Sequence, residues 1–346
     1  MTSPSPAPAP RILVVRFSSI GDLVLITPLL RALKTRHPDC YLAVATKEEF
    51  APLLRHNPHI DRIIEFAASD RLTNFARDLR AERFSHHIDL HDSLRSRALR
   101  WLVRGQWRGY PKHRLARTTL IRTKRNIYQP GTPPVAERYF AAARDLGVVP
   151  DGEPPELYLD PAEREQGLTW LEDRGLGDGR PVVVAAPMAA HFTKRWPVAR
   201  WQALVSTLTA RGNDIVVVGG PNDVAACQFV ADAGGTHAAS AAGTVGLQGT
   251  ASLIDRARVV VAGDTGVMHM STALDTPVVA LFGPTVEALG FFPYTARATV
   301  LERDLACRPC SKMGGPVCPL GHHRCLVDIG HDEVAAAVED WLGQRD

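Results

Sequence analysis

The sequence predicts an α/β protein of two parallel-sheet domains, and three observations predict it. Short apolar, strand-like runs alternate with helical patterns; a turn-rich break at residues 150–155 (PDGEPP) interrupts the alternation, which then restarts; and polar or Gly-bearing turns follow the strands. Repeated β-α alternation argues for a parallel sheet covered on both faces, with ligands bound at the carboxyl ends of the strands. A chain of 346 residues fits two domains of about 100–200 residues each. With 22% charged and 45% hydrophobic residues, the composition is that of an ordinary soluble protein. No apolar run approaches the roughly 20 residues that span a bilayer, and no basic-then-apolar signal pattern opens the chain; both point to the cytoplasm.

In order, residues 1–10 (MTSPSPAPAP) form a Pro-rich leader expected to be disordered. Residues 11–150 form the first domain, 151–178 a linker and connecting helix, 179–329 the second domain and 330–346 a C-terminal helix. In the first domain, strands are expected at 11–15, 41–45, 60–64 and 87–90. A helix at 22–35 carries Leu23, Ile26, Leu30 and Leu33 on one face. In the second, strands at 182–185, 215–218, 258–261 and 277–281 are separated by helices such as 198–211 and 223–233. The last helix, 331–342, places Val334, Val338 and Leu342 on one side and is free to dock on either domain.

Net charge is only +3, but its distribution is uneven. Between Ser93 and Ala136 there is no Asp or Glu, while Arg95, Arg97, Arg100, Arg104, Arg108, Lys112, Arg114, Arg117, Arg122, Lys124 and Arg125 fall in that interval. Such a block attracts phosphorylated partners, and the interleaved Trp101, Leu102, Val103, Trp107 and Tyr110 give it an amphipathic, membrane-facing character. A plain solvated basic surface is the competing reading. Nucleic acid is disfavoured, because no recognition-helix, zinc-finger or RNA-binding signature accompanies the charge.

The most informative turn is at residues 263–266, GDTG, between a β-branched run and a helical pattern. Small residues let a ligand approach the backbone, and the unpaired N–H groups and dipole of a helix N-terminus favour an anion such as a nucleotide diphosphate. Asp264 and Thr265 equally read as a plain helix cap. A dehydrogenase is less favoured, since no G-x-G-x-x-G follows a strand.

Taken together, Phe17-Ser18-Ser19-Ile20-Gly21-Asp22, Lys194-Arg195-Trp196-Pro197, Gly219-Gly220, Gly263 through His269 and Phe282-Gly283-Pro284-Thr285 give a specific likeness. In their order and spacing, from Arg11 to about Leu342, the chain resembles the ADP-heptose:lipopolysaccharide heptosyltransferases, glycosyltransferase family 9. That resemblance implies the GT-B architecture, two facing Rossmann-like domains around an interdomain cleft. It further implies inverting heptosyl transfer to the lipopolysaccharide inner core, without a catalytic metal or other required cofactor. The partners implied are a nucleotide-sugar donor and a phosphorylated glycolipid acceptor, met at the cytoplasmic face of the inner membrane.

Inverting transfer needs a carboxylate to take the acceptor proton as the new bond forms. Asp22 is the candidate, in the place of the family's proposed base; a helix-terminal carboxylate that merely satisfies the dipole is the alternative. Charge developing on the leaving diphosphate would be met by Lys194 and by backbone N–H groups of Thr265 and Gly266, with Asp264 turned to sugar hydroxyls. Asp223 is the candidate for the donor ribose by the same resemblance, and Val245 and Leu247 fall where the nucleobase would pack or simply in the core. Arg95 and Arg97 are candidates for anionic groups of the acceptor. The alternatives are a GT-B transferase or epimerase for another nucleotide sugar, and a non-enzymatic nucleotide- or lipid-binding module.

Cys307, Cys310, Cys318 and Cys325 form C-x2-C-x7-C-x6-C. Four clustered thiols in a cytoplasmic protein suggest a structural zinc site, with reduced packed thiols or a redox pair as alternatives.

Overall fold

The computed structural model describes residues 8–344. Residues 1–7 of the Pro-rich leader lie outside the described residues, as do the last two of the chain. The chain folds into two compact units: among the described residues, one comprises 8–112 and 136–153, the other 113–135 and 154–344. Residues 113–135, which the sequence alternation leaves in the first domain, therefore belong with the second unit. They are tied to it by hydrogen bonds from Lys124 Nζ to the Pro309 carbonyl (2.6 Å) and from the Val135 amide to the Gly290 carbonyl (2.9 Å).

The first unit contains β1 (Arg11–Val15), β2 (Tyr41–Lys47), β3 (Arg62–Phe66), β4 (His86–Asp89) and β5 (Trp107–Gly109). They pair in the order β3-β2-β1-β4-β5, all parallel. β1 is central, and Ile12, Leu13, Val14 and Val15 are fully buried, as expected of a strand covered on both faces. The core on one face joins Leu13, Val15, Ala43 and Ala45 to Phe17, Phe66 and Phe75. The helix expected at 22–35 is two helices, Ile20–Leu25 and Thr27–Arg36, divided at Ile26. Pro28 explains the break: it lacks an N–H to donate back into a preceding turn but is well accommodated in the first turn of a new helix.

The second unit contains β6 (Val182–Ala186), β7 (Asp214–Val217), β8 (Ala238–Ser240), β9 (Val259–Gly263), β10 (Val278–Phe282) and β11 (Ala298–Glu302). Their order is β11-β10-β9-β6-β7-β8, again all parallel. The C-terminal helix, His331–Gly343, docks on this unit. Val334, Ala335 and Val338 pack with Val183, Val261, Val279 and Leu281 of the sheet and with Trp201, Leu204 and Leu208 of the helix Val198–Ala210.

Both sheets have a Rossmann-type order, running outward in opposite senses from β1 and from β6. Each sheet therefore has a switch point, β1/β4 in the first and β6/β9 in the second. Chain leaving the strands' carboxyl ends there diverges to opposite sides and opens a crevice for a ligand. No helix among the described residues is long and apolar enough to cross a membrane.

Candidate active site

At the β1/β4 switch point the chain leaves β1 through Arg16–Ser19 and enters the helix Ile20–Leu25, with Asp22 in its first turn. The Asp22 carboxylate is held from three directions. Arg16 Nη2 lies 2.5 Å from Oδ2, the Ser19 amide and hydroxyl donate to Oδ2 at 3.3 and 3.1 Å, and Tyr139 Oη donates to Oδ1 at 3.0 Å. Burial alone would raise the Asp22 pKa, but the Arg16 charge and these hydrogen bonds outweigh it and hold the carboxyl below its ordinary value. Burial pushes the Tyr139 hydroxyl well above its ordinary value, so it remains a donor to Asp22.

Arg16 also donates to the carbonyls of Ser18 (2.7 Å) and Leu90, tying the end of β1 to the end of β4. There the buried Asp89 accepts from the amides of His91 and Asp92, each at 2.9 Å, and fixes the turn that presents His91. The His91 ring packs edge-on to Phe17 at 5.7 Å, and its Nδ1 is buried without a hydrogen-bond partner among the described residues. Burial, then the charges of Arg16 and Lys112, push its pKa down to about 4, so the ring is neutral at pH 7. Sequence reasoning found Asp22 but missed Arg16, His91 and Tyr139. Arg16 immediately precedes the quoted Phe17–Asp22 motif, and Tyr139 is 117 residues from its partner.

Part of the basic block is answered by carboxylates from outside its own interval. Arg97 pairs with Asp92 (2.8 Å), Arg100 with Asp89 (2.7 Å) and Arg108 with Asp145 (2.6 Å). The Arg95 guanidinium lies over the Phe66 ring at 5.3 Å. Arg95 and Arg97 both stand in the first turn of the helix Leu94–Leu102, which follows β4.

At the β6/β9 switch point the structure brings Lys194 and Asp264 together. Lys194 Nζ lies 2.6 Å from Asp264 Oδ2 and donates to the Asp264 carbonyl at 3.0 Å, and Thr285 Oγ1 donates to the same Oδ2 at 2.7 Å. The cation expected to meet a diphosphate is thus engaged by the carboxylate expected to meet the sugar. Thr265 is the N-cap residue of the helix Gly266–Ala273, and its buried hydroxyl has no hydrogen-bond partner among the described residues. That hydroxyl joins the open amides of the first turn as a further group for an anion. His269 is buried within the helix. Asp223 follows β7, where its Oδ2 accepts the Gly220 amide at 3.0 Å, and Val245 and Leu247 are partly buried.

The segment 303–326 braces this site from behind. Arg308 donates to the carbonyls of Gly283 (2.5 Å) and Thr285 (2.7 Å), and the Gly315 amide to Thr193 Oγ1 (2.8 Å). His323 Nε2 lies 3.1 Å from the Thr193 carbonyl. The structural zinc expected on the same segment is not borne out in the geometry. Among the described residues no group of three or more His, Cys, Asp or Glu side chains is arranged to hold a metal ion. Cys307 Sγ reaches His322 Nε2 only at 3.9 Å, while Cys325 is buried with Leu326 and Ile329 in the hydrophobic core. Burial, then the neighbouring cysteines, push the Cys310 thiol up and the Cys325 thiol to about 11.

Two Rossmann-ordered parallel sheets, each with polar residues gathered at its switch point, place the chain in the GT-B fold class. The chain belongs to glycosyltransferase family 9 (heptosyltransferase), whose family model matches residues 72–320. It is 28% identical to the lipopolysaccharide heptosyltransferase 2 of Salmonella typhimurium over 97% of this chain and 99% of that one. The fold is shared with the glycosyl transferase family 9 structure from Veillonella parvula, at a TM-score of 0.79 and 24% identity over 96% and 97% of the two chains. It is shared also with E. coli ADP-heptose lps heptosyltransferase II, at a TM-score of 0.76 and 24% identity over 96% and 98%.

Proposed function

We propose that this chain transfers a heptosyl unit from ADP-heptose to the inner core of lipopolysaccharide, with inversion and without a catalytic metal. The observation that carries the proposal is the Asp22 carboxylate, kept ionised at the β1/β4 switch point by Arg16, Ser19 and Tyr139. The full-length similarity to proteins named for ADP-heptose and lipopolysaccharide supports the donor and the acceptor.

In this reading Asp22 takes the proton of the attacking hydroxyl. A carboxylate held below its ordinary pKa is a weak base toward a free alcohol. It suffices here because the hydroxyl turns strongly acidic as its oxygen bonds to the anomeric carbon, and the proton moves late. Lys194 and the amides of Thr265 and Gly266 meet the charge on the departing ADP, which is how fixed donors replace a divalent cation. For this Lys194 exchanges part of its contact with Asp264 for phosphate, and Asp264 is released toward sugar hydroxyls. Asp223 serves the donor ribose, and Arg95 and Arg97 serve phosphate groups of the acceptor. The enzyme works in the cytoplasm as a peripheral protein at the inner membrane, where its glycolipid acceptor is displayed, and uses no nucleic acid.

Asp22→Asn keeps the shape of the side chain and removes its capacity to accept a proton. It should lower kcat by about 10²–10⁴-fold while leaving the affinity for ADP, read by calorimetry, within about threefold. Normal turnover in that variant removes Asp22 from the base role. The same calorimeter compares ADP, UDP and GDP on the unmodified chain. A preference for UDP would overturn the ADP-heptose donor in favour of another nucleotide sugar.

A further inference from the structure

The helix Leu94–Leu102 has an outward face that its position does not explain. Its inward face, Ser96 and Leu99, is fully buried, and Val103 follows them into the core. The opposite face of a surface helix is normally polar. Here Leu94 and Trp101, two turns apart on one stripe, are 86% and 87% exposed, with the half-buried Ala98 between them. An exposed Trp and Leu aligned along one helix form a patch rather than scattered apolar residues. Cations flank it: Arg95 is exposed at one end and Arg104 at the other, and Arg104 has no hydrogen-bond or ion-pair partner among the described residues, while Arg97 is paired with Asp92. No Asp or Glu occurs from Ser93 to Ala136.

We infer that this face is a membrane-docking surface, which lays Trp101 and Leu94 into the headgroup–acyl boundary of a bilayer containing anionic lipid while the arginines meet its phosphates. The chemistry selects this partner. Trp is suited to a boundary that is apolar on one side and wet on the other, and a purely apolar stripe would fit a protein groove without any need for the cationic rim. Arg97 and Arg100 are paired with Asp92 and Asp89, which leaves Arg95 and Arg104, at the two ends of the stripe, to meet an anionic lipid surface. The helix begins at the turn held by Asp89, the turn that presents His91 at the β1/β4 switch point. Docking would therefore bring the end of the first sheet that carries Asp22 to the surface on which a lipid-borne acceptor stands. The inference locates the peripheral membrane contact proposed above; its test uses neither donor nor acceptor, so its failure leaves the transfer chemistry standing.

The full chain is mixed with vesicles of phosphatidylethanolamine and phosphatidylglycerol, and separately with vesicles of phosphatidylcholine alone, and bound protein is measured by sedimentation. Binding to the anionic vesicles that weakens as salt is raised is expected. Trp101→Glu should weaken it about tenfold or more, Arg104→Glu by a smaller, salt-dependent factor, and Trp101→Phe should retain most of it. Far-UV circular dichroism identical to the unmodified chain establishes that the Glu variants are folded. Absence of vesicle binding at low salt overturns the proposal, as does equal binding by folded Trp101→Glu. Concentration-dependent self-association that Trp101→Glu abolishes, without vesicle binding, would assign the face to a second copy instead.

Discussion

At the scale of single residues, the second unit's site turns on one carboxylate oxygen. Asp264 Oδ2 receives Lys194 at 2.6 Å and Thr285 at 2.7 Å while nearly buried. A buried carboxylate that loses a donor keeps the cost of its desolvation. Thr285→Val, which preserves shape and deletes the hydroxyl, should lower the unfolding free energy by about 1–3 kcal/mol in a denaturant titration, and Thr285→Ser should restore most of it. ADP affinity should fall in the same order if Asp264 must hold Lys194 in place. Unchanged stability in the Val variant would mean that Lys194 alone satisfies the oxygen. Thr285 stood in the quoted Phe282–Thr285 motif, yet its partner is 21 residues away, and spacing along the chain does not reveal such a pair.

At the scale of elements, the Lys194 loop, the end of β10 and the segment 303–326 meet so closely that a glycine is needed. A Cβ on Gly283 would stand 2.8 Å from Leu326 Cγ and 3.2 Å from the Thr193 carbonyl oxygen. Gly283→Ala should therefore cost about 1–3 kcal/mol, by pushing the loop that carries Lys194 away from its partner. Gly343→Ala, in the last turn of the C-terminal helix with open space around it, should be neutral or slightly stabilising. Equal effects of the two would show that the close approach is not a constraint. Most strands found from sequence carry buried apolar runs, although the partly exposed edge strand β3 was found as well. Those missed, β5 and β8 with three residues each and β11, lie at sheet edges, where burial is partial and the apolar signal is weak.

At the scale of the whole molecule, stability should depend on pH through imidazoles that the first unit keeps neutral. Burial first, then neighbouring positive charge, lowers the pKa values of His86, His87 and His91, the last from 6.5 to about 4. The unfolded chain takes up protons there from about pH 6.5 downward, while the folded chain resists until lower pH. This stability is therefore fully present above pH 6.5 and is lost as pH falls toward 4. His91 alone accounts for up to about 3 kcal/mol of that loss. Asp22, lowered below 3.8, contributes stability that is lost only below that value, as pH falls through its folded pKa. Denaturant titrations at pH 7.5, 6 and 5 should show the decline, and His91→Gln should flatten it. A decline that begins only below pH 4.5 would assign acid sensitivity to carboxylates instead.

Sequence alone determined the α/β class, the second start of the alternation after residue 150 and the turns that carry Asp22, Lys194 and Asp264, because periodicity and turn chemistry are local properties. Only the tertiary structure decided what those side chains touch. It paired Lys194 with Asp264, closed Arg16, Ser19 and Tyr139 around Asp22, and drew Asp89, Asp92 and Asp145 against arginines of an acid-free run. It placed residues 113–135 with the second unit and packed Cys325 with Leu326 and Ile329 in the core. The reason is the same in each case. Hydrogen bonds and ion pairs act over about 3 Å of space, and in a parallel sheet the ends of neighbouring strands are separated by whole crossover connections of chain.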